Sequence, residues 1–174
     1  MGWWRWVRRF CDSREGCGIG LLFAVFSLPI ISRTALDAEQ CVSCTLEGMI
    51  VGIGVDLCEV DRMEAAVARH GERFLTRIYT EAERAYCDSK PNRMERFAGR
   101  FAAKEAAMKA IGTGWRRGVA WRDFEVIRAA SGQPVICFHG VARRIADELG
   151  VKRALVSITH IRSMAMAQVV LEAE

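Results

Sequence analysis

The chain has 174 residues, of which 51% are hydrophobic and 26% are charged, and its formal net charge is +4 at pH 7. This length and apolar content predict one compact domain with a core of its own. The small positive charge suits a phosphate-bearing ligand or an acidic protein partner, and it argues against a protein that wraps nucleic acid extensively.

Residues 1–48 form a segment unlike the rest of the chain. A basic start precedes an apolar run from Cys17 to Ile31, which is closer in length to the core of a signal peptide than to a membrane span of about 20 residues. Met49 then opens a run typical of a natural N-terminal strand. We therefore expect a disordered or loosely packed extension at 1–48, which is an export signal, an anchor or upstream sequence from a wrongly chosen start codon. We expect one domain at 49–174, without membrane attachment.

The seven cysteines show no repeating spacing, and their odd number argues against a secreted disulfide framework. Cys41 and Cys44 form a CxxC pattern that suits a redox site or half of a zinc site, but no second CxxC or histidine pair follows at ligand spacing. The cysteines therefore favour a protein of the reducing cytoplasm, and we assign the CxxC pattern no function.

The first element predicted in the domain is a strand from Ile50 to Leu57. Gly52 and Gly54 interrupt its apolar residues, which indicates a place where another backbone approaches closely. The strand carries Asp56 to its far end. An aspartate in that position is most often a helix cap, and its alternative use is to bind a cation.

Three helices are predicted next, each with its own boundary signal. Asp61 caps the first, which runs to about His70 and stops at Gly71. The capping box from Thr80 to Glu83 begins the second, which is short. The third extends from about Arg93 to Ile111 and is rich in alanine, lysine, glutamate and methionine, all of them good helix formers.

The last third of the chain predicts paired strands and one more helix. Two alternating segments flank the turn sequence SGQP and predict a hairpin, and an amphipathic helix and two apolar strands follow it. The ranges are Asp123–Arg128, Val135–Phe138, Val141–Leu149, Ala154–Thr159 and Met164–Leu171. The predicted order is therefore βαααββαββ, which indicates an α+β fold with an antiparallel sheet packed against helices.

The predicted third helix carries charges among small and apolar residues. Arg100 and Lys104 are one turn apart, as are Glu105 and Lys109, so one side of the helix is predicted to present cations beside a carboxylate. The plain alternative is an exposed Glu105–Lys109 pair that contributes about 0.3 kcal/mol. The functional alternative is a magnesium site, because Mg²⁺ prefers one or two carboxylates with phosphate oxygens and water, and Asp56 is the natural second carboxylate.

Several sequence blocks resemble a known family. Gly54-Val55-Asp56 and the ten residues from Arg100 to Lys109 are similar to the two signature blocks of the holo-acyl-carrier-protein synthases, the small bacterial phosphopantetheinyl transferases. The likeness continues through residues 112–114, 132–134 and 156–160. Blocks in this order cover essentially residues 49–174, and the resemblance implies the fold of that family.

The resemblance implies transfer of 4′-phosphopantetheine from coenzyme A to a serine of apo-acyl carrier protein, with release of adenosine 3′,5′-bisphosphate, in support of fatty acid biosynthesis. It implies that Asp56 and Glu105 hold Mg²⁺ beside the coenzyme A pyrophosphate and that Lys109 assists the departing nucleotide. A carboxylate or a metal-held water near Asp56 or Glu105 would take the serine proton, and the choice between them stays open.

Further residues are implied to bind the phosphates or the nucleotide. Arg100 and Lys104 offer positive charge, and the loop Gly112-Thr113-Gly114 offers backbone N–H groups. His160 resembles the family residue that lies near the nucleotide, although a histidine at a strand end is more often a plain polar residue.

The resemblance also implies a homotrimer with active sites between neighbouring subunits. Acidic, helical carrier proteins would dock on the first two helices, where Arg62, Arg69 and Arg73 offer charge and Met63 and Phe74 offer apolar contacts. The same residues are equally compatible with an ordinary solvated helix surface.

Two features depart from the family pattern, namely the extension at 1–48 and the sequence Trp115-Arg116-Arg117 after the glycine loop. Two other function classes stay open. A magnesium-dependent nucleotide or phosphate-ester hydrolase would use the same carboxylates with water as the nucleophile. A noncatalytic module would use the basic helices to hold an acidic partner.

Overall fold

The computed structural model describes residues 50–173. Its elements are, in chain order, β1 (Ile50–Glu59), α1 (Val60–Ile78), α2 (Glu81–Asp88), α3 (Arg93–Ala110), β2 (Phe124–Arg128), β3 (Pro134–Phe138), α4 (Gly140–Glu148), β4 (Arg153–Ile161) and β5 (Met164–Glu172). The predicted α+β class and the order βαααββαββ are confirmed. Within residues 50–173, every helix falls short of the length and apolarity that a membrane span requires. The predictions for residues 1–48, including the CxxC pattern, lie outside the described residues.

The larger of two sheets is antiparallel, with β5 between β1 and β4. Asp56 on β1 lies opposite Ala167 on β5, which lies opposite Ile158 on β4. Strands β2 and β3 form a separate hairpin, as the turn sequence predicted. Because side chains alternate between the faces of a strand, each strand of the larger sheet has one face toward α3 and one away from it.

Helix α3 lies directly on the larger sheet because small residues face each other there. Its alanines at 102, 103, 106 and 107 are fully buried. A Cβ atom on Gly54 would lie 1.9 Å from the carbonyl oxygen of Ala106, and one on Gly52 would lie 2.1 Å from that of Ala110. The close backbone approach predicted for these glycines is confirmed, and any side chain at either position would push α3 away from β1.

Helix α1 is longer than the sequence predicted. Gly71 has non-helical dihedral angles, φ 58° and ψ −143°, yet the chain resumes a helix after it and continues to Ile78. The second segment forms because Phe74, Leu75 and Ile78 are buried, so packing outweighs the glycine stop signal. Asp61 lies within the first turn and does not cap the helix, because Glu59 occupies the N-cap position.

The face of the larger sheet that points away from α3 is apolar and exposed. Exposed fractions reach 58% for Ile53, 57% for Leu57, 40% for Leu155 and 36% for Met166. Leu57 and Met166 are direct partners across β1 and β5, so these side chains form a continuous patch. Patches of this kind on a single chain are typical of surfaces that another protein covers.

Candidate active site

The charged residues of α3 lie on two different flanks of the helix. This corrects the prediction that one side of the helix presents cations beside a carboxylate. Lys104 is completely buried, and its ammonium group lies 2.8 Å from a carboxylate oxygen of Glu83. It also donates to the backbone carbonyl of Trp121 at 3.2 Å and to that of Phe124. Since a lysine has three donors and all three have partners, Lys104 holds the fold together and is not placed to bind phosphate.

Glu83 completes this buried network. Its carboxylate accepts hydrogen bonds from the backbone N–H groups of Thr80, at 2.8 Å, and Val126, at 2.9 Å. The predicted capping box is present, with the Thr80 hydroxyl accepting from the N–H of Glu83. Burial lowers the pKa of Lys104, and the charge of Glu83 opposes that shift. The sequence identified Glu83 as a cap but gave no sign that it also pairs with Lys104.

The other flank of α3 meets the end of β1. The Lys109 ammonium group lies 2.7 Å from a carboxylate oxygen of Asp56 and donates to the carbonyl of Val55, also at 2.7 Å. The Asp56 side chain is 19% exposed and the Lys109 side chain 48%, so this cluster opens to solvent. Close packing at Gly52 and Gly54 brings together the two backbones that carry these groups.

Glu105 belongs to the same cluster and has an unfavourable environment for its charge. Burial and the neighbouring carboxylate of Asp56 raise the pKa of Glu105 to about 7, while Lys109 lowers it. A carboxylate that is only partly ionised near neutral pH would gain from one more positive charge nearby. The arrangement thus offers two hard oxygen donor groups and one lysine in a solvent-accessible position.

This donor set fits a magnesium ion whose remaining ligands come from a substrate. Among residues 50–173, no group of three or more histidine, cysteine or acidic side chains could hold a metal by itself. Mg²⁺ commonly takes one or two carboxylates and completes its shell with water and phosphate oxygens. Cys58, two residues after Asp56, adds no nucleophile, because burial raises the pKa of its thiol to about 12.

Arg100 lies on the flank of α3 that faces α2, and only 6% of it is exposed. Its guanidinium group stacks on the Tyr86 ring at 4.1 Å, and Arg128 lies 5.6 Å from the same ring and donates to the Tyr86 hydroxyl at 3.2 Å. The Nε atom of Arg100 has no hydrogen-bond partner within residues 50–173. The sequence predicted Arg100 and missed Tyr86 and Arg128, whose contact depends on how the β2–β3 hairpin packs on α2.

The glycine loop after α3 has a different role from the predicted one. The backbone N–H of Gly112 donates to the carbonyl of Lys109 at 3.0 Å, and those of Thr113 and Gly114 both donate to the carbonyl of Met108 at 3.1 Å. These bonds satisfy the last carbonyl groups of the helix, so the three N–H groups do not point at a phosphate. Gly112 and Gly114 have φ values of 72° and 51°, which explains why glycine is needed.

The departure at Trp115 extends an aromatic cluster. Trp115 is 43% exposed, and its ring lies 5.0 Å from the ring of Trp121. Trp121 stacks in turn on Phe101 of α3 at 4.7 Å. The loop after α3 is therefore anchored on the helix by ring contacts.

His160 lies within β4, which extends to Ile161 and so continues past the predicted strand end at Thr159. Its Nε2 atom is 3.5 Å from a carboxylate oxygen of Glu95, near the start of α3. The same oxygen accepts a hydrogen bond from the Asn92 side chain at 2.9 Å. His160 thus lies beside the beginning of α3, whereas Lys109 and Asp56 meet near the end of that helix.

Of the residues predicted to form the docking face, the arginines are accessible on α1 and the two apolar residues are buried. Met63 is completely buried and Phe74 is 4% exposed, so both belong to the core and the prediction that they contact a partner is wrong. They face inward because the apolar stripe of an amphipathic helix packs on the protein itself. Arg69 and Arg73 are exposed on α1, and Arg62 is half-buried with Glu59 at 3.5 Å.

Comparisons with known proteins agree on one family. The family model of the 4′-phosphopantetheinyl transferase superfamily matches residues 52–168. The chain is 57% identical over 124 residues to the holo-[acyl-carrier-protein] synthase of Solibacter usitatus, and 56% identical over 124 residues to that of Koribacter versatilis. Each match covers 71% of this chain and 99% of the relative.

Solved structures show the same likeness. The holo-[acyl-carrier-protein] synthase of Neisseria meningitidis superposes with a TM-score of 0.66 at 32% identity, covering 71% of this chain and 99% of the other. The synthase of Bacillus anthracis, solved in complex with CoA (3′,5′-ADP), gives a TM-score of 0.60 at 37% identity, covering 73% of this chain and 100% of the other.

Proposed function

We propose that this chain, which belongs to the 4′-phosphopantetheinyl transferase superfamily, moves 4′-phosphopantetheine from coenzyme A to a serine of an apo-acyl carrier protein. Its high identity to holo-[acyl-carrier-protein] synthases supports this activity, as does the coenzyme A ligand of the similar Bacillus anthracis structure. The observation that carries the proposal is the cluster of Asp56, Glu105 and Lys109 where β1 meets α3. The cellular role would be the supply of active carrier protein for fatty acid biosynthesis in the cytoplasm.

A magnesium ion completes this proposal. Asp56 and Glu105 would hold it, and the raised pKa of Glu105 supports that assignment because a divalent cation would offset the charge of Asp56. When bound, the ion neutralises charge on the diphosphate of coenzyme A as the phosphoryl group is transferred. The residues of the chain itself would position the substrates and handle the proton.

In the transfer, the serine oxygen forms a bond to the phosphorus that bears pantetheine, and the bond from that phosphorus to the bridging oxygen breaks. Adenosine 3′,5′-bisphosphate leaves with the bridging oxygen. The serine proton passes to a carboxylate of Asp56 or Glu105 or to a water beside them. Lys109 lies at the same strand end and would stabilise the negative charge of the leaving bisphosphate.

Arg100 is the second proposed phosphate ligand, now together with Arg128. Both guanidinium groups lie against Tyr86, and the Nε of Arg100 lacks a partner in the described part of the chain. A buried cation without a carboxylate costs free energy, and an anionic ligand would offset that cost. The 3′-phosphate and diphosphate of coenzyme A provide such groups.

The assembly we propose is a homotrimer with active sites between subunits. The exposed apolar patch around Leu57 and Met166 supports burial against copies of the same chain. Arg100 and Glu105 are on one helix but face different elements. A ligand that contacts both kinds of residue would therefore bind between two neighbouring chains, with Arg100 from one chain and Glu105 from the other. Acidic carrier proteins would be steered by Arg62, Arg69 and Arg73 on α1.

The test uses the full chain, Mg²⁺, coenzyme A and an apo-acyl carrier protein, with the mass of the carrier as the readout. We expect a mass gain equal to phosphopantetheine, loss of that gain with Glu105→Gln, and a normal gain with Glu81→Gln, an exposed acid on α2. Consumption of coenzyme A without modified carrier would point to a hydrolase. Normal transfer by Glu105→Gln would reject the proposed site.

A further inference from the structure

The contact between Lys109 and Asp56 suggests a second use of this lysine. Its ammonium group donates two hydrogen bonds at the end of β1, one to the Asp56 carboxylate and one to the Val55 carbonyl, both at 2.7 Å. The Asp56 side chain is 81% covered, so few directions of approach to its oxygens remain. Asp56, the proposed metal ligand, is thus already paired with a cation of the protein itself, the ammonium group of Lys109.

We propose that Lys109 is the internal counter-ion of Asp56 and competes with the divalent ion for it. This inference rests on the proposed function. Two cations at one carboxylate repel each other, so the ion would bind at full strength only after the ammonium group leaves. Lys109 therefore weakens ion binding by the enzyme without coenzyme A.

The structure indicates which group moves. Helix α3 and β1 need not move, because their backbones pack closely at Gly52 and Gly54 and the ammonium group of Lys109 is at the end of a long side chain. The Lys109 side chain is 48% exposed and flexible, so it can turn into solvent or toward a phosphate without disturbing the core. The exchange is a side-chain movement at a fixed backbone.

A consequence is coupling between the ion and coenzyme A. A phosphate group offers Lys109 a new partner, which frees Asp56, so binding of the diphosphate would strengthen binding of the ion, and the reverse holds by linkage. Lys109 would then serve twice, first as the counter-ion of Asp56 and afterwards as the partner of the leaving bisphosphate.

The experiment measures binding of Mn²⁺, as a paramagnetic stand-in for Mg²⁺, to the full chain without coenzyme A. We expect Lys109→Met and Lys109→Gln to bind Mn²⁺ about tenfold more tightly than wild type, since a competing charge is removed. Lys109→Arg, which keeps the charge, should bind as wild type does. Lys152→Met, at an exposed lysine between α4 and β4, controls for net charge and should also match wild type.

Each result separates the inference from the proposed function. Affinity of both neutral Lys109 variants equal to or below that of Lys152→Met overturns the competition. If Mn²⁺ binding is also lost in Asp56→Asn, the metal site stands and only the competition fails. If neither wild type nor the neutral Lys109 variants bind Mn²⁺, or if Asp56→Asn binds it unchanged, the metal part of the proposed function fails as well.

Discussion

Two neighbouring residues of α3, Lys104 and Glu105, show opposite ways of placing a charge in a protein. Lys104 is fully buried, and its charge is met by Glu83 and two backbone carbonyls. Glu105 lies beside another carboxylate, and its pKa is raised to about 7. The first arrangement is complete within the protein, whereas the second would be completed by the proposed divalent ion. A charge in an unfavourable environment, such as that of Glu105, is therefore a better indication of a candidate active site than a charged residue as such.

The largest effect we expect comes from neutralising Glu105. Glu105→Gln keeps the shape of the side chain and removes a metal-ligating charge, so kcat for carrier modification should fall by about a thousandfold or more. Steady-state assays against the Glu81→Gln control measure this. A loss below tenfold would contradict the role given to Glu105.

The corresponding substitution on the other flank of α3, at Lys104, should lower the stability of the folded protein. Lys104→Met leaves the Glu83 charge buried without its partner, so the free energy of unfolding should fall by about 3–5 kcal/mol. Urea denaturation measures it. The double variant Lys104→Met with Glu83→Gln should lose less than the sum of the two single losses, because the two residues interact directly. Simple additivity would mean that the pair contributes little.

The pH dependence of stability provides a third test. Because the folded-state pKa of Glu105 is raised from 4.5 to about 7, the folded state holds its proton more tightly than the unfolded state. Its contribution is complete below pH 4.5 and is lost as the pH rises from there through 7, by about 3 kcal/mol in total. Metal-free wild type should thus lose stability relative to Glu105→Gln between pH 5 and 8, as followed by urea denaturation. A difference that stays constant with pH would contradict the shift.

The smallest effect concerns an exposed charge. Arg69→Ala should raise the KM for the carrier protein by about threefold at low salt and leave kcat unchanged, because a rim charge mainly speeds the encounter of the partners. The difference should shrink at high ionic strength. Arg144→Ala, an exposed arginine on α4, is the control. An equal effect of both variants would place the docking surface elsewhere.

The sequence was sufficient for the parts of this molecule that depend on local signals. Element order follows from periodicity and turn residues, and Gly52 and Gly54 predict that another backbone approaches β1 closely, although they do not identify it as that of α3. The partner of Lys104 could not be read in the same way, because Glu83 is distant in sequence and already fits a capping box. Met63 was misplaced because an apolar residue on a helix suits a partner surface as well as a core.

The error at the glycine loop and the residues missed around Arg100 have another cause. Glycines 112 and 114 matched a phosphate-binding pattern, but the carbonyl groups at the end of α3 needed the N–H donors of that loop first. Arg100 depends on Tyr86 and Arg128, which come together only when the hairpin packs on α2. Tertiary contacts of this kind leave no periodic signal in a sequence.

The central claim is that Asp56 and Glu105 share one divalent ion beside the diphosphate of coenzyme A. A crystal structure of the full chain with Mn²⁺ and coenzyme A, with the ion located by its anomalous scattering, tests it most directly. The account predicts one peak at about 2.2 Å from a carboxylate oxygen of each residue and from a phosphate oxygen. A peak bound to the phosphates but beyond contact with either carboxylate would contradict it.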